Sequence, residues 1–116
     1  MENAVEKKSF EFAVGVVRFT RELKKEGYEH GLLNQLLRSG TSIGANVSEA
    51  QHGQSKKDFV SKMSIALKEA EETRYWLKVL DSAEDCQSDK FSKHLKTTDE
   101  LIRLLVTIIK SSKQSL

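Results

Sequence analysis

Glu49 and His52 stand three residues apart in "EAQH". On a helix that spacing offers a carboxylate and an imidazole to a single metal ion, and di-metal helical bundles are built from two such pairs plus inward Glu residues on the other helices. The second pair is missing here, because neither His30 nor His94 has an acidic residue three positions upstream. Glu49 and His52 therefore read as a solvated helix end, and no metal or cofactor is expected. Cys86 is the single cysteine, in a polar stretch with no neighbouring base, so it predicts neither a disulfide nor a nucleophile. None of the serines sits in the strained Gly-x-Ser-x-Gly turn of a hydrolase. No enzymatic activity and no small-molecule substrate are expected.

Cations offer a second kind of chemistry. Lys56 and Lys57 fall in the first turn of a predicted helix, where free N–H groups and positive charge suit a phosphate. Lys90, Lys93 and Lys96 form another basic row at helical spacing. Phe91 is the one aromatic among them, too little for a base-stacking platform, so any contact with RNA or DNA is expected to be phosphate-directed and tolerant of sequence. A formal net charge of +2 is too small to imply nucleic acid by itself. A third group is polar: Arg38, Ser42, Asn46 and Glu49 follow one another at i, i+4, i+8 and i+11. That line is either a solvent face or a hydrogen-bonded seam against another helix or subunit.

The elements that must carry these residues are all helical. Proline is absent from the 116 residues, which favours long uninterrupted helices. Phe12, Val16, Phe19 and Leu23 set a helical period over 5–26, and Gly27 reads as its stop. Leu33, Leu36, Leu37, Gly40, Ile43, Gly44, Val47 and Ala50 keep one period through two glycines, predicting an unbroken helix over 32–51. Glycine on that apolar face points to a close helix crossing, whereas a phosphate loop would need Gly-x-x-x-x-Gly-Lys-Ser/Thr after a strand. Gly53 reads as a terminator and Ser55 as the cap of a third helix reaching 84, with Asp58 in the capping-box position. Phe59, Met63, Ala66, Ala70, Leu77 and Leu80 form the main stripe of that helix. Ile65, Trp76 and Val79, with Tyr75 adjacent, make a second apolar flank that predicts cover by another subunit. The last helix spans 90–113 through Leu101, Leu104, Leu105, Ile108 and Ile109. Short connections make the fold an all-α, antiparallel up-down-up-down four-helix bundle, one domain over 1–116. The apolar run "FAVGVV" is preceded by acidic residues and is too short for a secretory core, and no run approaches the length of a membrane span. A cytoplasmic protein without membrane partners is expected.

"LLRSGTSIGANVSEA", followed by "GQSKKDFVSKMSIALKEAEETRYWL", closely resembles the small bacterial four-helix-bundle proteins known as ribosomal-RNA intervening-sequence proteins. The likeness runs from "KSFEFAV" into the last helix and is strongest over 36–77. Its specific core is Ser42, Ile43, Ala45, Asn46 and Glu49. Gly44 stands where many members have Pro, and Ala50 where they have Gly, a pattern shared by the subgroup that reads "RSGTSIGAN". The resemblance implies a homo-oligomer, specifically a pentamer, and binding of nucleic acid through a basic surface; it carries over no catalytic residue. Two functions follow. One is a non-enzymatic oligomer that binds nucleic acid or a nucleoprotein partner. The alternative is a homo-oligomeric protein-interaction scaffold with no nucleic-acid role; the weak net charge favours it, whereas the resemblance and the paired lysines favour the first, which is the leading expectation.

Overall fold

The computed structural model describes residues 3–114. Four helices follow one another: α1 (Ala4–Lys25), α2 (His30–Gln51), α3 (Lys56–Ser82) and α4 (Ser92–Gln114). Each packs on its two neighbours in a square, α1 on α2 and α4, α3 on α2 and α4, and among the described residues the backbones of diagonal helices do not approach closely. The predicted up-down-up-down bundle is thus the observed architecture, elongated to 49 × 23 × 20 Å.

Local chemistry sets the helix ends. Asn3 opens α1 with a capping box: its side chain accepts the Glu6 N–H at 2.9 Å, and the Glu6 carboxylate accepts the Asn3 N–H at 3.4 Å. At the other end Gly27 takes φ +89°, and the Tyr28 N–H returns to the Leu23 carbonyl at 3.1 Å, a Schellman closure. Ser55 caps α3 by accepting the Asp58 N–H at 3.1 Å, as the sequence predicts. Gly53 is not a left-handed terminator. Gly27 is the one positive-φ glycine among the described residues, and a Cβ on Gly53 would lie 3.2 Å from the Ala50 carbonyl oxygen and 3.3 Å from the Phe59 nitrogen. Glycine stands there because the start of α3 folds back against the end of α2.

Three boundaries differ by two residues from the sequence reading, the first at α2, which begins at His30 and not at 32. Helix α3 ends at Ser82, and α4 begins at Ser92, which leaves Lys90 outside the helix. The reason is Phe91, which is wholly buried. Drawing that ring inward requires a turn, closed by the Ser92 N–H on the Asp89 carbonyl at 3.1 Å. Along α3 the buried stripe is Val60, Met63, Ala66, Ala70, Thr73, Leu77 and Leu80. Val60 replaces Phe59, which sits at the bundle end and is only partly covered.

The core joins all four helices through side chains such as Val16, Leu36, Ile43, Met63, Leu77 and Leu105, each without solvent exposure. Five hydroxyl residues are buried with them: Ser9, Thr20, Ser39, Thr73 and Thr98. Ser9, Thr20, Ser39 and Thr98 each donate to a carbonyl of their own helix, for example Thr98 to His94 at 2.6 Å, and the single Thr73 proton has two acceptors in reach, the Glu69 carbonyl at 2.8 Å and Ser39 Oγ at 3.0 Å. A small side chain that satisfies itself locally can enter a helix interface without leaving an unpaired polar atom.

Gly40 and Gly44 let α2 approach α1 closely. A Cβ on Gly40 would come within 2.9 Å of Val16 Cγ1, and one on Gly44 within 3.1 Å of the Ser9 backbone oxygen. Gly15 differs, since a Cβ there would meet nothing nearer than His94 Nε2 at 3.9 Å. Gly40→Leu should overpack the α1–α2 seam and cost about 1–3 kcal/mol. Gly15→Ala should gain up to about 1 kcal/mol of helix propensity. Thermal melts at one protein concentration check both: the first variant should melt below the parent, the second at or above it.

Candidate assembly and nucleic-acid surfaces

The polar line of α2 becomes a seam with α3. Arg38 reaches across to Glu69 at 3.0 Å and also pairs with Glu72. Glu72 in turn accepts the Trp76 indole N–H at 3.0 Å. About three turns further along α2, Glu49 pairs with Lys62 at 3.2 Å. Between these ion pairs Ser42 donates to the Arg38 carbonyl at 2.6 Å, and Asn46 donates to the Ser42 carbonyl at 2.8 Å. Beneath them Ile43 is fully buried, and Thr73 Oγ1 donates to Ser39 Oγ at 3.0 Å, joining α2 to α3 inside the core. Of the sequence motif, then, Arg38 and Glu49 tie two helices together, Ile43 fills the core, and Ser42 and Asn46 bond to their own helix. Exposed ion pairs contribute little stability, typically below about 1 kcal/mol, so the seam aligns α2 and α3 more than it strengthens them.

On the outward side of α3 apolar surface is left open. Tyr75 is 59% exposed and Ile65 40%, while Trp76 and Val79 are half-buried. Tyr75 and Trp76 meet edge to face with centroids 5.1 Å apart. Beside Tyr75 and Val79 runs a shallow groove of about 650 Å³, walled by Glu71, Arg74 and Lys78. Among the described residues one more large apolar side chain is exposed, Phe10 on α1, at 64%.

The five candidate lysines fall into different environments. Lys56 and Lys57 are exposed at the start of α3, and Lys93 and Lys96 are exposed on α4. Lys90 is engaged with the fold. Its ammonium donates to Glu26 at 2.6 Å and to the Tyr28 hydroxyl at 2.9 Å, 5.0 Å above the Tyr28 ring. Glu26, and then Tyr28, hold its pKa well above the ordinary lysine range. The Tyr28 hydroxyl also donates to Glu84, which raises the phenol's own pKa. Lys90 thus fastens the α3–α4 connection to the α1–α2 corner and is not in line with Lys93 and Lys96. Glu49 is occupied by Lys62, His52 is exposed, and among the described residues no three metal-ligating side chains converge. No described helix is long and apolar enough to cross a membrane.

His94 was missed as a structural residue, although it lies in phase with Phe91, Thr98 and Leu101. Its ring stacks on Phe19 at 4.1 Å, and its Nδ1 is buried with no hydrogen-bond partner. It fills the α1–α4 interface next to Gly15, beside a cleft of about 310 Å³ that Lys8, Glu11 and Lys93 also line.

The chain matches the family described as 23S rRNA-intervening sequence protein over residues 1–107. It belongs to that family. A crystal structure from Bacteroides thetaiotaomicron, a protein of unknown function from the S23 ribosomal protein family, is similar to this intervening-sequence protein with 45% identity and a TM-score of 0.87. The likeness covers 92% of this chain and 99% of that one. No protein of curated function matches. The resemblance read from "RSGTSIGAN" and the residues after it is therefore the family relationship itself, and the likeness extends over nearly the whole bundle.

Burial, and next the charge of Lys93, push the His94 pKa down from the ordinary 6.5, with Glu22 and the Gly15 backbone opposing. A histidine whose pKa is depressed by folding favours the folded state only when neutral. Its contribution is complete above the unfolded value near 6.5 and is lost as pH falls from there towards the folded value. His94→Phe should flatten that part of the stability–pH curve. Melting curves from pH 8 to pH 5 for parent and variant, with imidazole titration by NMR, check it. His94 should titrate below the ordinary histidine value of 6.5.

Proposed function

We propose that this intervening-sequence protein is a non-enzymatic, homo-oligomeric interaction scaffold. The observation that carries the reading is the outward face of α3, where Tyr75 and Ile65 lie open beside Trp76 and Val79. A bundle core needs one apolar flank per helix, and aromatic side chains on a second flank are characteristic of interface centres. The family resemblance supports the same reading and points to a pentamer. Replacing Ile65 and Tyr75 together by Glu should leave the helices intact and dissociate the assembly. Light scattering at micromolar concentration tests this: the parent should exceed the monomer mass and the double variant should equal it. A monomeric parent would refute the scaffold.

A second reading, binding of nucleic acid, draws on Lys56 and Lys57, exposed beside the N–H groups at the start of α3. Identical weak patches on several subunits would add by avidity. Lys90 contributes little to this reading because it is committed to Glu26 and Tyr28. Lys56→Gln with Lys57→Gln should lower affinity for mixed RNA and DNA alike and reduce the slope of log affinity against log salt by up to about two. Titrations at two salt concentrations check this. Absence of binding by the parent at low salt would leave the scaffold alone.

A further inference from the structure

The homo-oligomer reading leaves open what covers α3. A contact of α3 with its own copy would leave Phe10, the most exposed large apolar side chain among the described residues, unaccounted for. Phe10 begins a line on α1 that continues at helical spacing through half-buried Val14 and Val17. Helices α1 and α3 occupy opposite corners of the square, so their outward faces look to opposite sides of the molecule. They also run in the same direction, and α2 between them fixes their relative heights. Ser9 lies against Gly44, and Val16 against Gly40, on one side. On the other, Glu49 pairs with Lys62 and Ser39 with Thr73. Phe10 accordingly stands within about one turn of the height of Ile65, and Arg18 within about one turn of Tyr75 and Glu71.

Resting on that homo-oligomer reading, we infer that the α3 face of one copy is covered by the α1 face of the next, Phe10 and its line packing on Ile65 and Tyr75. Two molecules brought side by side with their axes parallel and no vertical shift place these residues against each other. Arg18 then reaches the exposed Glu71 carboxylate and the face of the Tyr75 ring, the geometry of an ion pair with a cation–π contact. The charges at that end also agree. Helix α1 finishes in Lys24 and Lys25, while the α3–α4 connection at the same end carries exposed Asp85 and Asp89. Such a contact joins two different surfaces of the same chain, so it is heterologous, and a repeated heterologous contact either closes into a ring or extends as a filament. Light scattering shows a finite mass for the first and a concentration-dependent, growing mass for the second; the α1-on-α3 contact underlies both.

The decisive experiment is complementation between two variants that keep opposite faces. Phe10→Glu spoils the α1 face and spares α3. Ile65→Glu with Tyr75→Glu spoils α3 and spares α1. All three positions are exposed, and far-UV circular dichroism with a thermal melt verifies that each variant is folded; Phe10→Ala serves as a milder replacement should Phe10→Glu unfold. At a concentration where the parent is assembled, each variant alone should sediment as a monomer. Their equimolar mixture should yield a dimer, built from the α1 face of the α3 variant and the α3 face of the α1 variant, and nothing larger. A mixture that stays monomeric up to the solubility limit overturns the pairing. So does a Phe10→Glu protein that assembles like the parent while the α3 variant does not, an outcome that keeps the scaffold and makes α3 meet some other surface. A monomeric parent removes both.

Discussion

The absence of two side chains, at Gly40 and Gly44, governs how the rest of the bundle is spaced. With no Cβ in the way, α2 comes close enough to α1 for its backbone to touch Val16 and the Ser9 carbonyl. A helix pulled hard against one neighbour leaves room elsewhere in a four-cornered arrangement. That room appears at the α1–α4 edge, the least intimate of the four. It is filled by rings: Phe19 stacked on His94, Phe91 edge-on to Phe19 at 5.4 Å, and Phe12 tilted against His94. Small residues at one edge and aromatic ones at another are two parts of a single packing solution. The same layout makes His94 sensitive to its environment, because its ring must fill apolar space while one of its nitrogens finds no partner.

Much of this was legible in the sequence because helical periodicity reports burial directly. The unbroken phase from Leu33 to Ala50 revealed α2 through its glycines, and Ser55 announced α3. Periodicity says nothing about a residue outside a helix. Phe91 therefore looked like a decoration on a basic row, when its burial in fact decides where α4 begins. Lys90 was misaligned for the same reason. With Phe91 turned inward, its ammonium is delivered to Glu26 and Tyr28, partners 64 and 62 residues away in sequence that no local pattern could suggest. Phe10 lay in the sequence unremarked because it is off the core stripe of α1, and a single off-phase aromatic gains meaning only when the opposite face of the molecule is also known.

The charged residues divide along the same lines. Those at the α2–α3 seam are absorbed into pairs, Arg38 with Glu69 and Glu72 and Lys62 with Glu49. Lys8 pairs with Glu100 and Arg74 with Asp99 across the edges of α4. The remaining charges also nearly balance, since the chain has 19 basic and 17 acidic residues. A chain with so little net charge gains no long-range attraction for polyanions, and any such partner would have to be met by local patches.

The contact between Thr73 and Ser39 has one further consequence. The other buried hydroxyls look after themselves within their own helices, so they would be equally content if two helices slid past one another by a turn. Ser39 and Thr73 alone, among the buried hydroxyls described, share a bond across an interface. Sliding α3 along α2 by one turn would set each opposite an apolar side chain, and it would leave Arg38 only one of its two glutamates. Leucine-rich helices tolerate many alignments of similar energy, and a single polar pair in the right place can select one of them. In this bundle the hydroxyl pair serves as an index mark for α2 against α3, and through α2 it sets the height of α3 relative to α1.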